Sequence, residues 1–340
     1  MAVVLCSFLV TALAAFEVSR AKALAAPAPP AVVIGYPSPT PRIVPLLIAQ
    51  EQDFFGKYGA AAEPVFVRNS QILIAGLAAN NIHIGYTGGT TVLGAAAGGV
   101  ELKMLAGFVN RQRSYLVVRS EIKTPGDLAG KRFGVQSIGG TNWMHAMLAL
   151  KQLKLDPARD QIRILVIGDQ TVLSQALEAG VIDASVFTSR TLSVGLNKKG
   201  FPALAELTPS VAATGIVAKK SYLEKDSHTL ERVIKAFMEG LVFALTPGNK
   251  PYVLKTIMRR LKISDPALAE EGYADVAGHF ESRRPYPSLD GLRNMQQLMR
   301  AQNPRLADIK LDDLVDNTFV RNLEESGFIA QLHLRHEQGK

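Results

Sequence analysis

Beyond residue 31 the chain alternates short apolar runs with longer amphipathic stretches. Val32, Val33 and Ile34 begin a run that closes at Tyr36 and predicts a buried strand over residues 32–36. Ile43, Leu46, Leu47 and, with some drift, Gln50 recur at helical spacing, which predicts a helix over residues 43–52. Residues 54–59, with Gly56 and Gly59, close it in a turn. Strands follow over 63–67 and 82–86, with helices over 70–79 and 90–97. The same grammar restarts after Lys131. Strands are expected over 133–135, 162–167 and 184–187, with helices over 141–153 and 172–179 between them. Met144, Met147 and Leu148 lie on one side of the first of these helices. Strand-helix-strand-helix-strand is the signature of a parallel sheet with right-handed crossovers.

An α/β fold of two lobes follows, each lobe a parallel-rich sheet flanked by helices. Extended stretches at 102–118 and 211–218 join the lobes and make a hinge of two crossings. The first lobe is expected at 32–110 and 215–330, with the carboxy-terminal helices, and the second at 111–214. From Leu230 onward the pattern is helical, and Pro247, Pro251, Pro266, Pro285, Pro287 and Pro304 break it into short helices. Two internal echoes support related lobes. Ile34-Gly35-Tyr36 repeats as Ile84-Gly85-Tyr86, and residues 73–84 parallel residues 173–184 as helix, polar turn and strand.

The amino terminus carries a different message. Residues 3–16 are apolar but too few to span a bilayer. Ala23-Leu24-Ala25 then gives the A-x-A pattern of a signal peptidase site, and Pro27, Pro29 and Pro30 begin an extended stretch. A signal peptide is expected over residues 1–25, with a soluble periplasmic product. The apolar run lacks the usual preceding Lys or Arg. The one cysteine, Cys6, lies inside the signal, so the exported chain would have no thiol. That excludes a cysteine nucleophile, a cysteine zinc site and a disulfide scaffold. The formal charge of +8 comes from scattered Lys and Arg, densest at Lys198-Lys199, Lys219-Lys220 and Arg259-Arg260. No basic block is interleaved with aromatics, so nucleic acid is not an expected partner.

Ligands of open parallel sheets bind beyond the carboxyl ends of the strands. Loops rich in hydroxyls, glycines or both occupy those positions. Ser38, Thr40 and Arg42 follow the first strand. Thr87, Gly88, Gly89 and Thr90 follow the third. Ser137, Gly139, Gly140 and Thr141 precede the helix of Trp143. Thr188, Ser189 and Arg190 follow the strand at 184–187. Glycines admit a ligand to the backbone, and the helix after each loop offers free N–H groups. The chemistry suits a small oxyanion or carboxylate, placed between the 87–91 and 137–141 loops with no side-chain charge that must be buried. Arg42 and Arg190 are candidate charge partners, and Trp143 a candidate stacking surface. The plainer alternative is ordinary turns with Ser or Thr caps.

Other constellations are weak. His83 and His145 are lone residues in apolar elements and read as core histidines; only His333 and His336 are close together. Asp183 reads as a turn or capping residue. No dinucleotide, P-loop or G-x-S-x-G motif is present, and no metal or cofactor is expected.

Four stretches carry a family resemblance: Pro45-Leu46-Leu47-Ile48-Ala49 with Phe54-Phe55-Gly56-Lys57-Tyr58-Gly59, then Ile84-Gly85-Tyr86-Thr87-Gly88, then Asp127-Leu128-Ala129-Gly130-Lys131 with its flanks, then Leu177-Glu178-Ala179-Gly180 running to Ala184. The chain resembles the periplasmic binding components of nitrate, sulfonate and taurine ABC transporters, grouped with thiamine-pyrimidine biosynthesis proteins. The likeness covers residues 32–330. It implies a type II periplasmic binding fold that closes on a small anionic or sulfonate/carboxylate-type solute and delivers it to a permease at the inner membrane. A monomer without catalytic residues is expected. Two departures stand out: Asp53 where Gly commonly precedes Phe-Phe, and Asn81-Ile82-His83 in place of a G-D-x-D turn. The competing readings are a ligand-sensing domain of a receptor and a thiamine-pyrimidine synthase-like enzyme. The latter is disfavoured because those enzymes carry a Cys-rich segment.

Overall fold

The apolar run at the start of the globular region forms strand β1 (Val32–Tyr36). A 3-10 turn at Pro41–Ile43 leads into α1 (Val44–Glu51). Pro41 and Pro45 sit in first turns, where proline has no hydrogen bond to lose. The first lobe continues with α2 (Phe54–Lys57), β2 (Ala62–Phe66), α3 (Ser70–Ala78), β3 (Ile84–Thr87) and α4 (Gly89–Ala97). Strands β4 (Leu102–Arg111) and β5 (Ser114–Val118) cross to the second lobe. There follow β6 (Arg132–Val135), α5 (Thr141–Gln152), β7 (Arg163–Val166), α6 (Gln170–Glu178) and β8 (Ala184–Phe187). Helix α7 (Arg190–Lys198) and β9 (Ala203–Leu207) occupy a stretch that the sequence pattern left without elements. Strand β10 (Ser210–Lys219) returns to the first lobe. The tail adds α8 (Lys220–Lys225), α9 (Ser227–Leu245), α10 (Lys250–Leu261), α11 (Pro266–His279), α12 (Leu289–Met299), α13 (Thr318–Glu325) and α14 (Phe328–Gln338). This computed structural model describes residues 32–338, so the expected signal peptide, residues 1–25, lies outside the described residues.

The sheets have the same topology. The first runs β2-β1-β3-β10-β4 and the second β7-β6-β8-β5-β9. In each, the first three strands are parallel. Strands β10 and β5 start at the cleft, where the parallel strands end, so they run antiparallel to their neighbours. Both sheets are therefore mixed. One expected echo is corrected by the register. Ile34 pairs with Ile84 and Gly35 with Gly85, so the repeated tripeptide marks neighbouring strands of one sheet, not equivalent strands of two lobes. The longer echo does relate the lobes: α3 and β3 hold the same places in the first as α6 and β8 in the second.

Two glycines show how closely the cores correspond. A Cβ on Gly35 would lie 2.6 Å from Leu73 and 3.0 Å from Ile82, and one on Gly134 would lie 2.8 Å from Leu173 and 2.5 Å from Ile182. In each lobe the helix and the following turn press on a bare backbone. The family departures also have physical reasons. Asp53 adopts a left-handed conformation with φ of 52°, the state that glycine enters most easily. His83 Nδ1 accepts from the Val33 N–H at 3.0 Å, as Asp183 accepts from the Arg132 N–H at 2.8 Å. A histidine thus does an aspartate's work at the start of the neighbouring strand.

The tail braces the first lobe. Helix α9 packs across α1, and a Cβ on Gly240 would lie 2.4 Å from the Pro45 carbonyl. Beside it Glu239 is buried and accepts from Lys57 Nζ at 2.6 Å and Tyr58 OH at 2.7 Å. Burial works against the Glu239 carboxylate, but hydrogen bonds from His336, Lys57 and Tyr58 prevail and hold its pKa at about 2. The same contact and burial push the Tyr58 phenol up to about 12.

Candidate functional site

The parallel strands of both sheets end at a cavity of about 80 Å³ between the lobes. Tyr36, Ser38, Thr40 and Arg42 line it after β1, and Thr87 and Gly88 after β3. From the second lobe come Gln136, Ser137, Gly140, Thr141 and Asn142 after β6, Gln170 at the start of α6, and Thr188 after β8. The hinge crossings supply Gln112 and Thr214.

Arg42 dominates the chemistry. It is 6% exposed, and its Nη2 donates to Asp275 of α11 at 3.1–3.2 Å. Its carbonyl accepts from the Tyr86 hydroxyl at 2.7 Å, and burial pushes that phenol's pKa up while the guanidinium opposes. The Arg42 Nε and Nη1 groups are buried without a partner. Each such donor costs about 1–3 kcal/mol until something accepts from it. Ser38 Oγ and Gln112 Oε1, also in the cavity wall, are likewise buried and unpartnered.

Two helix starts add to this. Helices α3, α6 and α7 are capped by the side chains of Asn69, Asp169 and Ser189. Helices α4 and α5 have Gly88 and Gly140 as N-caps and no side-chain cap. Their first N–H groups are left for another acceptor, at the positive end of the helix dipole. For α7 the plainer reading of a capped turn holds.

The lobes touch across the cleft. Thr90 Oγ1 and Thr141 Oγ1 are 2.8 Å apart. Gln136 Nε2 donates to the Pro37 and Arg68 carbonyls at 2.7 and 2.8 Å, and Gln71 Nε2 to Ile138 O at 2.6 Å. Helix α11 reaches both lobes: Asp275 pairs with Arg42 of the first, and Glu271 with Arg190 on α7 of the second.

Of the residues singled out from sequence, Ser38, Thr40, Arg42, Thr87, Gly88, Ser137, Gly140, Thr141 and Thr188 line the cavity. The others lie elsewhere. Gly89 faces Leu292 and Met295 of α12. Thr90 spends its hydroxyl on Thr141, and Gly139 turns the loop with φ of 75°. Ser189 caps α7. Arg190 is engaged by Glu271 and by the Tyr115 hydroxyl at 3.3 Å, and both bonds push its pKa up. Trp143 is 3% exposed and borders a separate groove against α12. The expectation that no side-chain charge need be buried is corrected, because Arg42 and Asp275 are both buried at the cleft.

Sequence reasoning missed the amides. Gln170 Oε1 accepts from the Thr188 N–H at 2.8 Å and the Ser189 N–H at 3.2 Å, and its Nε2 donates to Thr188 Oγ1 at 2.9 Å. Asn142 joins Gln136 N–H to the Val186 carbonyl at 3.0 and 2.5 Å. Both shape the wall with their polar atoms already engaged. Thr214 had a signal, as the one polar side chain within residues 211–218. His145 and Ser114 form a buried pair at 3.0 Å, outside the cavity wall. Burial, with Arg42 adding to it, lowers the His145 pKa to about 3.

Residues 40–249 match the family described as NMT1/THI5 like. The chain belongs to the NMT1/THI5-like family. Arg42 and every cavity residue after it lie within the matched segment, whereas Asp275 lies beyond it. No curated protein matches the chain. Solved structures of the same fold do. A Bordetella bronchiseptica protein is 18% identical, with a TM-score of 0.76 over 87% of this chain and 97% of that one. The alkanesulfonate-binding protein of Xanthomonas axonopodis, bound to MOPS, is 19% identical, with a TM-score of 0.66 over 86% and 100% of the two chains. The periplasmic nitrate-binding protein of Synechocystis is 13% identical, with a TM-score of 0.68 over 88% and 90%. Among the described residues no helix is long and apolar enough to cross a membrane.

Proposed function

We propose that this family member is the extracytoplasmic solute-binding component of an ABC importer. It captures a small solute with an anionic group, of sulfonate or carboxylate type, in the interlobe cleft and delivers it to a membrane permease. The observation that carries this reading is Arg42, buried in the cavity wall with two unpartnered N–H groups. A buried guanidinium with donors to spare binds an oxyanion by charge-assisted hydrogen bonds. The glycine-capped starts of α4 and α5 favour the same charge from either side. The solutes of the Xanthomonas and Synechocystis proteins, an alkanesulfonate and nitrate, support a monoanionic class. The buried Ser114–His145 pair lends little to a catalytic alternative, since both side chains are fully buried.

A thermal-shift panel of sulfonates, nitrate, bicarbonate, aromatic carboxylates and pyrimidines tests the reading. A solute at 100 times its Kd adds about 2.7 kcal/mol of stability. That gain should vanish in Arg42→Ala. Equal protection of parent and variant would move the site elsewhere.

A further inference from the structure

Arg42 is the one charged side chain in the cavity wall among the described residues. Its partner comes from far along the chain. Asp275 follows it by 233 residues, stands on α11 and is 4% exposed. The approach of α11 depends on Gly272, less than one turn earlier. A Cβ there would lie 2.6 Å from Pro41 Cγ and 2.8 Å from Thr191 Oγ1, so only a bare backbone lets α11 press against the turn that bears Arg42. His279, one turn on, places Nδ1 3.4 Å from Asp275 Oδ1.

We propose that Asp275 sets the charge selectivity of the cleft. The inference rests on the reading of the cleft as the solute site. Arg42 and Asp275 together sum to no net charge, in a place where little water screens them. A singly charged solute adds one charge, which the free Arg42 N–H groups and two helix starts can hold. A doubly charged solute adds a second, with no further cation in the wall to meet it and the Asp275 carboxylate on the far side of the same guanidinium. Asp275 therefore acts through Arg42 as a positioning residue and counter-charge. It admits a monoanion and rejects a dianion of the same shape.

Methanesulfonate and sulfate are the probes, because each offers a tetrahedral sulfur with at least three oxygens while their charges differ by one. Calorimetry on the exported chain should show methanesulfonate binding at least about tenfold tighter than sulfate. Asp275→Asn should shift that ratio toward sulfate by at least about tenfold, and Asp275→Glu should restore it. If Asp275→Asn fails to fold, the double variant Arg42→Gln/Asp275→Asn replaces the ion pair by two neutral amides. It should bind both probes weakly and without preference. An unchanged ratio in Asp275→Asn or in the double variant overturns the inference, and so does a wild-type protein that binds sulfate as well as methanesulfonate or binds neither. If methanesulfonate still binds as tightly after Arg42→Gln alone, the reading of the cleft as the solute site fails, and this inference fails with it.

Discussion

The two lobes share one topology and divide the chemistry unequally. Each sheet orders its strands in the same way and lays a helix and a turn over a glycine. At the cleft they diverge. The strand-to-helix turn after β1 carries Arg42, buried, charged and with donors to spare. The corresponding stretch after β6 leads to Asn142 at the start of α5, whose amide atoms are both engaged. Ser70 opens α3 and Gln170 opens α6, and Gln170 is wholly occupied in holding the loop after β8. One lobe therefore presents a buried guanidinium with two free donors, and the other a polar wall whose amides are engaged. The two frameworks share their core contacts and differ in chemistry at the cleft, where the strands end.

The sharpest way to break the comparison is to exchange residues at Gly88 and Thr188. A Cβ on Gly88 would lie 2.2 Å from the Ala213 carbonyl and 2.7 Å from that of Ala212, and backbone cannot step aside. Gly88→Thr should cost more than about 3 kcal/mol in urea unfolding, whereas Thr188→Gly should cost about 1. Comparable losses would mean the lobes are not differentiated there.

Acid should separate the lobes next. His145 lies on α5 of the second lobe with a folded pKa of about 3. The unfolded value is about 6.5, so protons favour the unfolded chain. Stability from the neutral imidazole is complete above that pH and is lost as pH falls toward 3, at about 1.4 kcal/mol per unit. By pH 4.5 the loss should reach roughly 2–3 kcal/mol, and His145→Gln should remove this slope. Hydrogen exchange should show the second lobe opening first. Uniform opening would contradict the assignment.

Smaller effects test the shared core. Gly35→Ala and Gly134→Ala should each cost about 2 kcal/mol, because each methyl must displace a leucine and an isoleucine. Matching urea midpoints would uphold the correspondence; one neutral substitution would end it. Smallest is the strand-start contact. Asp183→Asn should cost about 1–2 kcal/mol at pH 7, since Asp183 accepts from both the backbone and the guanidinium of Arg132. The Arg132 bond lowers the Asp183 pKa, so the difference from wild type should fade as pH falls below about 4. His83→Phe should cost about 1 kcal/mol, for the single Val33 bond.

These effects also show what the sequence could reveal. Apolar runs such as residues 32–36 were legible because a strand buried on both faces has no polar face to show. The loops at Ser38, Thr87, Ser137 and Thr188 were legible because strand ends fix where a cleft lies. Partnership was not. Nothing near Arg42 announces Asp275, and Ser189 and Thr90 look like ligand groups until their caps and contacts are seen. Helix α7 and β9 escaped notice because α7 buries the polar Thr191 and Ser193 while β9 leaves Ala203 exposed, so neither follows an apolar-inward period.

Trp143 has a further use. It is the only tryptophan of the chain, and it sits on α5 of the second lobe at a groove shared with Leu298 of α12. Helix α12 is packed on β10 and α4 of the first lobe. A buried indole emits toward the blue, and one in water toward the red. The protein thus contains a single built-in fluorophore at the boundary between its two bodies. Unlabelled protein in a stopped-flow cuvette should report each closure as a change of colour, with no other indole to blur the signal.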